Sequence, residues 1–263
     1  EDVATCQYKR VSDTCIEGYV QAKNVCGHGR YKLYFSLNTD QPFQLEEQKE
    51  TTACLTFGNK VRAVEVRIGL SALSSELASW ECARWEKMNF AELKSQTGNQ
   101  WEKQLSAIDV KGGKKDDKVI FYTSLYRAYL SPADVSSPDG AYLGTDGKVY
   151  ISEDFRYYSN WSLWDTFRTK FPLLVLTEPA KMRDMATSLI HLYATGKKDW
   201  STGFESTPTV RTEHAVILLL DAYRKGITTL DFRKGYAGMK EEMERLPMRS
   251  PDQKMESAYD LWA

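Results

Sequence analysis

The sequence lacks an excess of either charge, which excludes one large class of partner. It carries 35 Lys and Arg against 36 Asp and Glu, a net charge of -1 at pH 7, and its pI is near 6.4. Nucleic-acid binding depends on neutralising a dense row of phosphates with Lys and Arg, and this chain has no basic excess for it. The composition therefore predicts no nucleic-acid partner.

Long apolar runs are missing as well. No stretch approaches the roughly 20 apolar residues that a membrane-spanning helix needs. The first residues, EDVATC, contain no signal-peptide hydrophobic region. With 42% hydrophobic residues in a chain of 263, a substantial core can still form, in one large domain or two smaller ones. The sequence predicts a globular chain without a membrane span.

The five cysteines form no CxxC pair, which argues against a zinc or redox motif. All of them lie in the first third of the chain, at positions 6, 15, 26, 54 and 82. In an exported protein four could form two disulfides, whereas the alternative is that all are small buried hydrophobic residues. The cysteine count therefore leaves the compartment open.

The chain changes from strand patterns to helix patterns near residue 74. Before it, β-rich runs at 31–37, 52–57 and 61–70 alternate with turn signals. We therefore expect a mixed protein, β then α, with too few strands for a complete sandwich and with short-looped helices that form a bundle or toroid. The helices are expected at 75–87, 91–108, 118–130, 180–194, 209–225 and 232–246, with a hairpin at 141–151 and a last helix from 252 that the end of the sequence interrupts.

Residues 157–176, YYSNWSLWDTFRTKFPLLVL, carry the strongest functional signal in the chain. If this stretch is helical, Trp161, Trp164, Asp165 and Arg168 fall at i, i+3, i+4 and i+7 and share one face. Indole rings stack on the apolar faces of sugars, while a carboxylate accepts hydrogen bonds from neighbouring hydroxyls. The alternative is that both indoles are core residues and that Asp165 pairs with Arg168.

These residues belong to a longer likeness, because the chain resembles glycoside hydrolase family 92, the calcium-dependent exo-α-mannosidases. The likeness covers roughly residues 61–263 in the same order, and the passage at 66–78 is similar to the family's domain junction. The stretches that carry it are FYTSLYRAYLSP at 121–132, YYSNWSLWDTFRTKFPLLVLTEP at 157–179, HAVILLLDAYRKGI at 214–227 and MESAYDLWA at 255–263.

The resemblance implies a β-sandwich packed on an (α/α)6 toroid, with the active site in the cleft between them. Residues 1–73 would be the end portion of the sandwich, residues 74–112 a helical connector, and residues 113–263 about half of the toroid. The family's glycine-rich opening and its later acid, HGNEP-like and base motifs have no counterpart here. We therefore expect part of a longer polypeptide with no catalytic residue in this chain.

The resemblance also implies a substrate-binding set. Asp165 matches the carboxylate of the family's WDT motif, which accepts hydrogen bonds from the hydroxyls of the terminal mannose. His214 lies where the family usually has a histidine, although a structural histidine is the alternative, and Arg211 is also compatible with a solvent-facing position. The neighbouring STGFESTPTVR departs from the family pattern, so the resemblance leaves the substrate preference open. The expected substrate-binding residues are Asp165, Trp164, Trp161, Arg168, Arg211 and His214.

The function implied by the resemblance is that of an exo-acting, inverting glycoside hydrolase that releases terminal α-linked mannose. Its partners would be a mannose-containing glycan and the remainder of its own polypeptide, in a bacterial protein exported to the periplasm or cell surface. Calcium would bridge the 2- and 3-hydroxyls of the sugar, with ligands outside this chain. The alternative is a catalytically inactive carbohydrate-binding or scaffold protein with the same fold. The acidic residues at 134, 139, 146 and 154 are expected to form turns.

Overall fold

The computed structural model describes residues 3–23, 30–49, 52–196 and 214–245. The chain forms two compact units, Glu1–Ser106 and Ala107–Ala263. Strands dominate the first unit and helices dominate the second, so the expectation of a mixed protein, β then α, is confirmed. Among the described residues, no helix combines the length and the apolar character needed to cross a membrane.

Among its described residues, the first unit contains six strands, β1 Val3–Ser12, β2 Cys15–Lys23, β3 Arg30–Thr39, β4 Phe43–Lys49, β5 Thr52–Phe57 and β6 Val66–Ser71. Four of them form an antiparallel sheet in the order β1-β2-β3-β6, and β4 and β5 pair separately. The sequence does not predict β1, β2 or β4. For β1 the reason is that most of its residues are exposed and show no apolar alternation.

Helix α1, Ser75–Ala83, packs on one face of this sheet. Its N-terminus is capped by the hydroxyl of Ser74, which accepts a hydrogen bond from the Leu77 N–H at 3.2 Å. The buried residue Ala78 lies against Gly69 of β6, where an added Cβ would come within 2.0 Å of the Ala78 carbonyl oxygen. Glycine therefore allows the close approach of helix and strand.

Helix α2, Phe90–Leu105, follows in the same unit and has no buried residue. A reciprocal capping box fixes its start: the Asn89 side chain accepts from the Glu92 N–H, and the Glu92 carboxylate accepts from the Asn89 N–H. Both α1 and α2 confirm the helices expected at 75–87 and 91–108, although each ends earlier than expected.

Four cysteines of this unit lie among the described residues, and all are free thiols, so no disulfide joins them. Cys15 and Cys82 are buried, as expected if they act as small hydrophobic residues. Burial raises the pKa of the Cys15 thiol, which keeps it protonated and unreactive. The fifth cysteine, at position 26, lies outside the described residues.

The second unit is mainly helical. Its hairpin, β8 Ala141–Leu143 with β9 Val149–Ile151, confirms the one expected at 141–151, and a short pair joins β7 Ala133–Asp134 to β10 Tyr158–Ser159. The helices are α3 Lys115–Tyr129, α4 Lys170–Thr177, α5 Pro179–Ala194, α6 Ala215–Arg224 and α7 Tyr236–Arg245, with a 3₁₀ turn at Phe232–Lys234.

Local signals in the sequence fix several of these boundaries. Pro179 begins α5, as expected for a residue without an N–H to donate. Gly196 and Gly226 follow α5 and α6 with φ of 94° and 105°, the left-handed conformation that commonly ends a helix. The beginning of the helix expected at 209–225 and the helix expected from 252 lie outside the described residues.

The main apolar cluster among the described residues of the second unit is supplied mainly by α4, α5 and α6. Leu189 and Leu192 of α5 are fully buried, and Leu218 and Leu219 of α6 join them. Trp161 enters the same cluster from the segment that precedes α4. This segment is therefore fixed to the core at one end.

Candidate functional site

Residues 157–176 do not fold as one helix, so the expectation that their functional side chains share a helical face is wrong. Helix α4 begins only at Lys170, and residues 164–169 form successive turns. Pro172 supplies the reason, because a helix continuing back through it would bring its ring against the carbonyl of Arg168. The proline is accommodated in the first turn of α4, where no intrahelical N–H donor is needed.

Hydrogen bonds give this turn a defined shape. The Arg168 N–H donates to the Asp165 carbonyl at 3.4 Å, and the Phe171 N–H donates to the Thr166 carbonyl at 3.1 Å. The Thr166 hydroxyl donates to the Ser162 carbonyl at 2.5 Å. These bonds satisfy backbone groups that a non-helical segment would otherwise leave unpaired. We call residues 164–169 the Asp165 turn.

The two indoles on either side of the turn lie in different environments. Trp161 is 1% exposed and packs beside Phe171, with ring centroids 6.0 Å apart. Trp164 is 55% exposed. The alternative that treats a tryptophan of this stretch as a core residue therefore applies to Trp161, whereas Trp164 presents its ring at the surface of the unit.

Asp165 is exposed, and within the described residues its carboxylate forms no hydrogen bond or ion pair. The alternative in which it pairs with Arg168 is not realised. The Arg168 guanidinium instead lies over the ring of Phe167, 5.0 Å from the ring centroid, in a cation–π contact. The structure thus leaves a carboxylate on a fixed turn with its oxygens available to accept hydrogen bonds.

Phe167 connects the Asp165 turn to the residue that precedes α6. Its ring stacks on the imidazole of His214, with centroids 4.2 Å apart and an angle of 5° between the planes. Both side chains are buried. His214 therefore anchors the turn by packing. The sequence does not mark Phe167 as a site residue, because an aromatic residue in a turn has no periodic neighbours that indicate its burial.

Lys170 is a further ionisable residue beside the turn that the sequence pattern did not single out. It is partly buried at the first position of α4, and its Nζ lies 5.7 Å from the centroid of the Phe171 ring. Burial lowers the pKa of its ammonium group to about 8. The remaining expected site residue, Arg211, lies outside the described residues.

The acidic residues that crowd the loops before this turn have structural roles. Asp139 and Asp146 accept hydrogen bonds from the backbone N–H groups of Ala141 and Lys148 in the hairpin, as expected for turn formation. Among the described residues, no three His, Cys, Asp or Glu side chains are grouped to hold a metal ion. These residues therefore do not fit the calcium that the resemblance implies.

Comparison with known proteins indicates the family to which this chain is similar. A family model described as the glycosyl hydrolase family 92 catalytic domain matches residues 77–262. No curated protein matches the chain. The matched range contains the Asp165 turn, His214 and all of the helices described above except the start of α1.

Solved structures of the same family are also similar to this chain. The chain is similar to the GH92 family glycosyl hydrolase CcMan5, with 28% identity and a TM-score of 0.77 over 90% of this chain and 35% of that one. It is also similar to a family GH92 α-mannosidase from Bacteroides thetaiotaomicron, with 26% identity and a TM-score of 0.78 over 90% of this chain and 36% of that one. That α-mannosidase has also been solved with mannoimidazole bound. The chain therefore spans 35 to 36% of the length of these relatives.

Proposed function

Because this chain belongs to glycoside hydrolase family 92, we propose that it is part of an α-mannosidase that releases terminal α-linked mannose from glycans. The proposal is supported by a structural neighbour that is named an α-mannosidase and that has been solved with mannoimidazole. Exo action, inversion of the anomeric centre and an exported bacterial location are further parts of the proposal, and they rest on the family resemblance.

We extend the proposal to the architecture of the whole protein. The sheet of the first unit would be the end portion of a β-sandwich, and helices α3 to α7 would form about half of an (α/α)6 toroid. The order of strands and helices along the chain supports this assignment. So does the similarity to relatives of which this chain covers 35 to 36%.

Asp165 carries the proposal at the level of the site. Two neighbouring sugar hydroxyls can donate to the two oxygens of its carboxylate, which has no competing partner within the described residues. The exposed ring of Trp164 offers an apolar face for the C–H groups of the same sugar. The stack of Phe167 on His214 holds the turn rigid, and such support makes a binding group effective.

The contribution of this chain to catalysis is positioning. Inversion requires a general acid and a general base separated by about 6.5 to 9.5 Å, with water between them. We propose that both groups, and the ligands that would hold the implied calcium ion, are supplied from outside this chain. Asp165 would hold the terminal sugar so that the scissile bond lies in line for attack.

Binding of methyl α-D-mannopyranoside to the 263-residue chain tests the role of Asp165. Replacing Asp165 with Asn removes one charged acceptor while preserving the shape of the side chain, and we expect the affinity to fall at least about tenfold. The matched control is Asp109→Asn, since Asp109 is also an exposed carboxylate of this unit and contacts only Lys111, at 3.4 Å, within the described residues. Tryptophan fluorescence, to which Trp164 contributes together with the other six tryptophans of the chain, follows the binding.

Two outcomes would contradict the proposal. Equal affinities of the Asp165→Asn variant and the Asp109→Asn control would remove Asp165 from the site. Hydrolysis of an aryl α-mannoside by the 263-residue chain would show that the acid and base are not supplied from outside it. We expect no hydrolysis by this chain, with or without a calcium chelator. The alternative of an inactive carbohydrate-binding protein predicts the same binding result but no turnover by any longer form of the protein.

A further inference from the structure

A cavity of about 170 Å³ lies in the second unit, beside α5 and the segment that leads into α7. None of the residues that line it belongs to the Asp165 turn, and His214 does not line it either. The side chains that give it its chemistry are Asp154, Phe155, Arg183, His191, Asp231 and Lys234.

Tyr142 contacts His191, which lines this cavity. The Tyr142 Oη lies 2.9 Å from the His191 Nδ1. Burial raises the pKa of Tyr142 to about 12, so the phenol keeps its proton at neutral pH, and within the described residues it has no other acceptor. Donation from this buried hydroxyl to Nδ1 gives it an acceptor, and in that tautomer the proton of the neutral imidazole lies on Nε2, which becomes a hydrogen-bond donor.

His191 also stays neutral under ordinary conditions. Burial is the largest cause that lowers the pKa of its imidazole, and the nearby Lys234 lowers it further. Phe155 packs against this imidazole with ring centroids 4.8 Å apart, and it supplies an apolar wall to the cavity. The cavity therefore combines a neutral N–H donor with an aromatic surface.

Charges of both signs line the same space. Asp154 and Asp231 would repel an anionic ligand, and Lys234 would repel a cationic one. Arg183 is already committed, because its Nη2 donates to the Asp154 carbonyl at 3.0 Å and to the Asp184 Oδ1 at 2.8 Å. A neutral ligand with several hydroxyl groups avoids both repulsions, since it can donate to the carboxylates and accept from Lys234 and from the imidazole.

We propose that this cavity binds a neutral polyhydroxylated ring of monosaccharide size, at a site separate from the Asp165 turn. The apolar C–H face of the ring would lie on Phe155, and its hydroxyls would reach Asp154, Asp231, Lys234 and the Nε2–H of His191. The proposal goes beyond the mannosidase assignment and does not depend on it, because the cavity shares no residue with the proposed substrate site.

Histidine NMR offers a direct test, because the chain contains only three histidines. In protein labelled with ¹⁵N-histidine, the His191 signals are assigned by their loss in the His191→Gln variant. We expect the spectrum to show the proton on Nε2. Titration with methyl α-D-mannopyranoside or methyl α-D-glucopyranoside should shift these signals in a saturable manner, and the response to the two sugars identifies the preferred hexose. Inorganic phosphate should leave them unchanged.

Two double variants show whether the sugar acts on His191 from within the cavity. Asp154→Asn combined with Lys234→Met should weaken the response of His191 to the sugar at least about tenfold. Asp109→Asn combined with Lys111→Met changes the same residue types away from the cavity and should leave it unchanged. Asp165→Asn should also leave the His191 titration unchanged, even where it abolishes binding at the Asp165 turn, so the two proposals fail independently.

Three results would overturn the inference. These are no shift of the His191 signals with either sugar at millimolar concentration, a shift of equal size with inorganic phosphate, and unchanged sugar affinity in the Asp154→Asn, Lys234→Met variant. Thermal unfolding of each variant, followed by circular dichroism, confirms that the comparison is made between folded proteins.

Discussion

The fold disfavours the charge of one residue in particular, Lys170. In the unfolded chain the pKa of this lysine is near 10.5, and burial lowers it to about 8 in the folded protein. Between these two values the unfolded state binds a proton that the folded state does not bind. The free energy of unfolding therefore rises as the pH rises through this window, and below about pH 8 the full penalty applies.

Replacing Lys170 with Met should stabilise the protein at pH 7, because it removes the buried charge and retains the apolar stem. We expect the free energy of unfolding to increase by about 2 to 3 kcal/mol, and the gain should shrink as the pH approaches 10.5. Urea denaturation at several pH values measures both effects. Lys115→Met is the matched control, since Lys115 is an exposed lysine at the first position of α3. A gain that does not vary with pH would contradict the prediction.

Among the site residues, those that the sequence could predict are the ones marked by a local motif. Asp165 stands in a short Trp-Asp-Thr pattern, and the structure places it exposed on a turn. Phe167, Lys170 and His191 depend instead on burial and on distant partners. Tyr142 and His191, for example, are 49 positions apart in the sequence. No periodicity or spacing reports such a contact, so it appears only when the chain is folded.

At the scale of elements, too, the sequence predicts what a local pattern marks and misses what depends on burial or on distant contacts. Helix α5 was predictable because its apolar residues follow a helical period and Pro179 and Gly196 mark its ends. The turn before α4 was misassigned because Trp161 and Trp164 fit a helical spacing that Pro172 does not allow. Strand β1 was missed because a largely exposed strand has no buried face to impose an apolar alternation.

The packing of α1 on β6 depends on the absence of a side chain at Gly69. An added Cβ would lie 2.0 Å from the Ala78 carbonyl oxygen and 2.6 Å from the Cys82 nitrogen, and both are backbone atoms that cannot rotate away. Gly69→Ala should therefore force α1 away from the sheet. We expect a loss of about 3 kcal/mol in the free energy of unfolding, measured by urea denaturation.

Gly58→Ala provides the control for this prediction. Gly58 belongs to the same unit, an added Cβ there would meet nothing within 4 Å, and its φ is not in the left-handed range. We expect its free energy of unfolding to change by no more than about 0.5 kcal/mol. Equal stabilities for the two variants would mean that α1 can shift at little cost, and the close packing would then not be a determinant of stability.

At the scale of the whole molecule, each unit carries an apolar surface among its described residues. In the first unit, Val66, Ile68 and Leu70 of the edge strand β6 are exposed, on the face opposite to α1. In the second unit, exposed apolar residues recur at helical spacing along α3, among them Val119 and Tyr126. Contiguous apolar patches of this kind are uncommon on the surfaces of monomeric proteins.

The β6 surface can be tested with a dye that fluoresces on binding apolar patches, such as 1-anilinonaphthalene-8-sulfonate. Ile68 is 57% exposed, so Ile68→Lys removes the centre of the patch without opening a core cavity, and it should change the free energy of unfolding by no more than about 0.5 kcal/mol. The dye fluorescence of the folded chain should fall. Thr52→Lys adds the same charge at an exposed strand position of the same unit and should leave the fluorescence unchanged. If both variants lower the fluorescence equally, the dye responds to charge, and the β6 residues do not act as an accessible apolar surface.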